Sequence, residues 1–209
     1  MKKITILDYG SGNVLSAQKS FIKIAKDNNI EVDVLISKKL NDVKTSSHVV
    51  LPGQGAFSTC MNGLKKTDGL IDELCEFALI KKKPFLGICV GMQMLAKLSE
   101  ENGLHEGLGW IDGQIKLMPG DNLKLPHMGW NLAIPKNSKY KNLISTKNDY
   151  YFVHSYYFEC TDKDNILAET KYGTNFASII GKENIYGVQF HPEKSSSQGL
   201  NLIKKFMSK

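Results

Sequence analysis

The chain has no arginine: all 27 of its strongly basic residues are lysine, set against 21 acidic residues for a formal net charge of +6. Bidentate recognition of phosphate and guanine leans on a planar guanidinium, which the point charge of lysine does not reproduce. The surplus charge therefore reads as a solvated lysine surface, and no nucleic-acid partner is expected. Cysteine is scarce as well. The four, at positions 60, 75, 89 and 160, form no Cys-x-x-Cys pair and have no histidine at metal-ligand spacing. Neither a disulfide framework nor a bound metal is expected, and each thiol has to be judged alone. Long apolar runs are missing too. After Met1-Lys2-Lys3 only Ile4 to Leu7 precede Asp8, too short for a signal-peptide core or a membrane span, so the expectation is a cytoplasmic protein without a membrane role. With no repeat, low-complexity tract or flexible linker, the 209 residues, 42% hydrophobic and 23% charged, suggest one domain over 1–209.

In the first half, strands alternate with helices. Lys3 to Leu7 reads as an apolar strand, followed by the turn Asp8-Tyr9-Gly10-Ser11-Gly12-Asn13 and a helix from Val14 to Lys26. Glu31 to Ile36 and His48 to Leu51 read as further strands, the second running into Pro52-Gly53-Gln54-Gly55-Ala56-Phe57. Thr67 or Asp68 can cap a helix through Lys83; Pro84 to Ile88 is then an apolar strand that feeds a helix from Val90 to Leu98. Such alternation predicts an α/β fold whose central, mostly parallel sheet is flanked by helices, with its ligand crevice at the carboxyl ends of the strands. In the second half, Gln114 to Leu117, Tyr150 to Val153, Tyr156 to Glu159, Ile166 to Thr170, Phe176 to Ile180 and Ile185 to Gln189 are closely spaced strands. They predict antiparallel hairpins packed beside that sheet, and Gly199 to Met207 predicts a closing helix.

Gly87-Ile88-Cys89-Val90-Gly91 places a thiol between two glycines at a strand-to-helix turn, the cysteine counterpart of a Gly-x-Ser-x-Gly nucleophile elbow. A helix N-terminus at that point favours thiolate. Taken alone, the pentapeptide is equally the signature of a buried structural cysteine between close-packed glycines. A base distinguishes the two. His191-Pro192-Glu193 follows the strand ending near Phe190 and offers one, because a carboxylate two residues on can fix the imidazole tautomer and leave the other ring nitrogen for Cys89. On its own that tripeptide reads as a surface turn; beside the elbow it completes a Cys-His-Glu set. The glycine-rich turn after the third strand supplies backbone amides for an oxyanion, with Gly53 and Val90 as the candidate donors. A nucleotide role for Gly10-x-Gly12 is not expected, since Leu15 stands where a third glycine is needed, and no cofactor is called for.

Together these features resemble the class I (triad) glutamine amidotransferases, Gly87 to Gln93 being the most specific stretch. Within that family the chain is similar to the glutaminase subunits of histidine biosynthesis, through the segments 8–13, 51–57, Gly107 to Trp110, Pro126 to Asn131, Tyr151 to Tyr156 and His191 to Ser195. The resemblance implies a flavodoxin-like fold, Cys89, His191 and Glu193 as catalytic residues, and L-glutamine held by Gln93 and by His154, Ser155 and Tyr156. It also implies a heterodimer with a separate barrel-shaped cyclase/synthase subunit, met by Asn13, Trp130 and Tyr151. Where the family usually carries a small aliphatic residue in its oxyanion loop, this chain has Gln54. Paralogues that supply ammonia for amidine groups on bacterial surface sugars, a catalytically silent subunit and a cysteine peptidase are the competing expectations.

Overall fold

In the computed structural model, which describes residues 1–120 and 123–209, five adjacent strands run parallel in one part of a large sheet. β1 (Lys2–Leu7) leads into α1 (Val14–Asp27), followed by β2 (Val32–Ser37), α2 (Leu40–Thr45), β3 (His48–Gly53) and α3 (Phe57–Lys65). α4 (Leu70–Cys75), prolonged by a π-helical turn at Glu76–Ile80, returns the chain to β4 (Phe85–Cys89), which runs straight into α5 (Val90–Gln93). The short β5 (Leu98–Ser99) and β6 (His105–Glu106) precede β7 (Gly113–Leu117), β8 (His127–Pro135), β9 (Asn148–His154) and β10 (Tyr156–Cys160). β11 (Ile166–Tyr172), β12 (Thr174–Lys182), β13 (Ile185–Val188) and α6 (Ser196–Met207) complete the chain.

The nine-stranded sheet has the order β2-β1-β3-β4-β13-β12-β11-β8-β9, parallel from β2 through β13 and antiparallel beyond. Every residue of β3, β4 and β13 is buried, as expected of strands covered on both faces. At one end α1 and α6 pack together, with Phe21 and Phe206 meeting edge to face at 6.3 Å. Among the described residues no helix is long and apolar enough to cross a membrane.

Three expectations need correction. The later strands are not all hairpins beside the sheet: β13, β12, β11, β8 and β9 extend it, and only β7 and β10 join β5 and β6 in a separate four-stranded sheet. The apolar pattern after Cys89 does not sustain a helix to Leu98. Every residue from Val90 to Ala96 is buried, and the carbonyls of Met94, Leu95 and Ala96 accept hydrogen bonds from the amides of Leu108, Ile111 and Gly109. A loop thus takes the acceptors that a longer helix would need. The helix expected from Thr67 or Asp68 begins later, at Leu70, behind a left-handed Gly69 with no side-chain cap.

This topology sets the site. β13 pairs in parallel with β4 at Gly187↔Gly87 and Val188↔Ile88, while β3 pairs on the other side of β4 at Gly53↔Cys89. The carboxyl ends of three adjacent strands therefore bring residues 53, 89 and 189–193 to one edge.

Candidate active site

Cys89 occupies φ 55°, ψ −114°, a conformation that costs a non-glycine residue energy and that the surrounding packing has to hold. The packing is close. A Cβ on Gly91 would lie 1.9 Å from the Leu51 carbonyl oxygen, and one on Gly87 would lie 2.5 Å from the oxygen of Gly91. Only glycine on both sides lets the chain turn this sharply from β4 into α5. The sulfur lies 3.9 Å from the Val153 carbonyl oxygen and 3.9 Å from Nε2 of Gln189.

His191 follows β13, and its amide donates to the Tyr151 carbonyl at 2.9 Å. Pro192–Lys194 is a single 3₁₀ turn, so it is this turn, not extended backbone, that brings Glu193 back to the ring: Nδ1 of His191 donates to Oε1 of Glu193 at 2.9 Å. Ser195 clamps the segment, its hydroxyl donating to the His191 carbonyl at 2.6 Å and accepting from the Tyr151 amide at 3.0 Å. Both side chains of the pair are nearly inaccessible, 7% and 4% exposed. Burial alone would disfavour the charged ring, but hydrogen bonds to Cys89 and to Glu193 outweigh it and raise the His191 pKa to about 10. At neutral pH this favours the protonated ring, which lines the same cavity as Cys89.

The other thiols differ. Burial pushes those of Cys60 and Cys75 upward and that of Cys160 to about 12, so each stays protonated. Among the described residues no three histidine, cysteine or carboxylate side chains gather as a metal site would require.

Cys89 and His191 open onto a cavity of about 270 Å³, also lined by Val90, Gln93, His154, Ser155 and Tyr156. Sequence reasoning missed Glu101 and Lys194 in the same wall. Oε2 of Glu101 accepts from the Phe57 amide at 2.7 Å, which places its carboxylate at the N-terminus of α3. No local pattern marks Glu101, which only the fold brings to the cavity; Lys194 directly follows the His191-Pro192-Glu193 motif.

The remaining predicted residues are placed as follows. Gly53 is buried behind the cavity, where a Cβ would lie 2.4 Å from the Gly91 nitrogen, while Gln54 and Gly55 form the lip. The Gln54 carbonyl accepts from the Ser11 hydroxyl at 2.6 Å and from the Cys60 thiol at 3.4 Å, tying the lip to the first glycine-rich turn. Asn13 caps α1, its Oδ1 accepting from the Ser16 amide at 3.2 Å. Trp130 and Tyr151 are cross-strand partners with ring centroids 6.2 Å apart, and Trp130 is 55% exposed.

Behind the wall, hydrogen bonds define the tautomers. The Tyr156 carbonyl can only accept, so Nδ1 of His154 donates to it, at 2.8 Å. Nε2 of His154 then accepts from Nδ1 of His127 at 3.0 Å, and Nε2 of His127 accepts from Asn131 at 3.1 Å. Burial lowers the pKa of His154 to about 3 and that of His127 to about 4, so both are neutral.

Residues 5–209 match the family described as glutamine amidotransferase class-I. The imidazole glycerol phosphate synthase subunit HisH of Pelagibacter ubique is 46% identical over 208 residues, 98% of this chain and 99% of that protein. The subunit of the same name from Rhodospirillum rubrum is 44% identical over 209 residues, 98% of each. In fold the chain is similar to a solved glutamine amidotransferase with a TM-score of 0.72 at 15% identity, covering 98% of this chain and 97% of that one. It is also similar to a glutamine amidotransferase from Thermotoga maritima, with a TM-score of 0.64 at 18% identity, covering 99% and 83%.

Proposed function

Since the chain belongs to the class-I glutamine amidotransferases, we propose that it is the glutaminase subunit of an imidazole glycerol phosphate synthase, hydrolysing L-glutamine through Cys89, His191 and Glu193. The observation that carries the chemistry is that the elbow cysteine and His191, whose Nδ1 is held by the buried carboxylate of Glu193, line one cavity. Thiolate Cys89 attacks the side-chain carboxamide carbon of glutamine, and the π electrons move to oxygen. As the tetrahedral intermediate collapses, the C–N bond breaks and His191 delivers its proton to the leaving nitrogen, releasing ammonia. Water, deprotonated by the now neutral His191, cleaves the γ-glutamyl thioester to glutamate. Glu193 keeps the ring in one orientation throughout.

Backbone amides at Gly53 and Val90 are the proposed oxyanion donors. Gly53 is not among the cavity-lining residues, and the neighbouring Gln54 peptide is engaged by Ser11, so in this reading the lip turns before the donor set is complete. Gln93, Glu101 and the His154–Tyr156 backbone hold the amino-acid end of the substrate, the carboxylate of Glu101 meeting its ammonium group.

In this reading the ammonia acceptor is bound by a separate barrel-shaped synthase subunit, which forms imidazole glycerol phosphate and an aminoimidazole carboxamide ribonucleotide; the word subunit in the relatives' names supports it. Trp130, Tyr151 and Asn13 are the proposed contacts with it, in a cytoplasmic heterodimer. The names of the relatives support this acceptor over a surface sugar. Cys89→Ala should abolish glutamine-dependent synthesis by the complex while synthesis from added ammonia continues; glutamine-dependent turnover in that variant removes Cys89 from the mechanism.

A further inference from the structure

One buried amide in the site is used by no step of the proposed reaction. Gln189 directly follows β13 and is fully buried between Val188 and Phe190, which are also 0% exposed. Its backbone amide donates to the Ser178 carbonyl at 2.9 Å. Continuing the β4–β13 register by one residue from Val188↔Ile88 sets it beside Cys89, on the flank opposite Gly53.

The polarity of its side chain follows from its neighbours. Nε2 of Gln93 lies 3.0 Å from the Tyr156 carbonyl, which can only accept, so the Gln93 amide nitrogen points that way. The same nitrogen lies 3.1 Å from Oε1 of Gln189. With both Gln93 hydrogens assigned, Gln189 must present oxygen to Gln93 and its NH₂ to the Cys89 sulfur, 3.9 Å away. Two consequences follow. Gln93 cannot flip its amide without losing two hydrogen bonds, so its Oε1 is the end left for a ligand. And the sulfur, which has an acceptor on one side in the Val153 carbonyl, has a donor on the other. A donor favours thiolate over thiol, and a wholly desolvated one favours it more than a hydrated one.

We propose that Gln189 is a positioning residue: its NH₂ stabilises the Cys89 thiolate, and its Oε1 fixes the direction in which Gln93 meets glutamine. This rests on Cys89 being the nucleophile of a glutaminase. Gln189→Met preserves length and burial while removing both polar ends. In the complex with the synthase subunit, the glutamine KM should rise about fivefold, the loss of one neutral hydrogen bond. The rate of iodoacetamide modification of Cys89 at neutral pH should fall about tenfold, because the thiolate, the reactive form, loses its donor. An alkylation profile identical to that of the native chain overturns the proposal, whatever happens to thermal stability.

Should the variant fail to fold, the native chain supplies a second measurement. The Gln189 side-chain amide proton shifts in an NMR titration should follow the midpoint of Cys89 alkylation, and shifts that stay flat through that midpoint overturn the proposal equally. Failure of the parent reading looks different: native Cys89 could then be alkylated without loss of glutamine hydrolysis, whatever residue 189 is.

Discussion

At the residue scale, the interactions of His191 with Cys89 and Glu193 make a pH-dependent contribution whose sign is fixed. The folded-state pKa of His191, about 10, stands above its ordinary 6.5. The stabilisation is therefore fully present below about pH 6.5 and is lost as the pH climbs toward 10. Urea unfolding of the native chain and of His191→Gln should give a stability difference that is largest near pH 6 and shrinks steadily up to pH 10; a difference that grows with pH contradicts the assignment. Residues of this kind were readable because each carried its partner nearby in sequence: glycines two away from Cys89, a carboxylate two after His191. Glu101 and Gln189 were not. Glu101 reaches the site through a hydrogen bond to Phe57, 44 positions away, and Gln189 through contacts with Gln93 and Cys89, about a hundred positions earlier.

At the element scale, the elbow depends on β3 and β4 lying close enough for α5 to start directly above Leu51. Gly91→Ala drives a methyl into the Leu51 carbonyl, which is backbone and cannot swing aside, and should destabilise the fold by about 3 kcal/mol or more in denaturant unfolding. Near-native stability would show that the strands have room to separate. The central strands were legible from their apolar runs. α3 also left a signal that was not taken up, since Phe57, Cys60, Met61 and Leu64 recur at helical spacing and are buried. The early end of α5 left none. Its apolar residues continue at helical intervals, and what stops the helix is a set of amides at 108–111, a tertiary competitor that no local pattern reports.

At the scale of the whole molecule, the same sheet that brings Cys89 and His191 to one cavity carries β8 and β9 to the far edge. There Trp130, 55% exposed, stands beside Tyr151, whose amide and carbonyl are tied to Ser195 and His191. A partner seated on these aromatics would thus bear on a strand that holds the His191–Ser195 segment, a physical route between that surface and the cavity. Trp130→Ala should weaken association with the synthase subunit by about 2 kcal/mol, roughly thirtyfold in Kd, with the isolated chain as stable as before. Unchanged affinity places the partner elsewhere. The parallel strands β1 to β4 were foreseen from strand–helix alternation, whereas β13, which joins them in parallel, and the antiparallel continuation were read as a separate layer. Strand spacing shows that strands are neighbours in sequence without showing which edge they join. The central claim remains chemical, that glutamine nitrogen is released through a covalent bond to Cys89. It is tested most directly by mixing the subunit complex with glutamine, quenching in acid during turnover, and mapping acylated peptides by mass spectrometry. The account predicts one γ-glutamyl thioester, on the peptide containing Cys89 and absent from Cys89→Ala; sustained hydrolysis with the adduct on another residue, or in the Cys89→Ala chain, contradicts it.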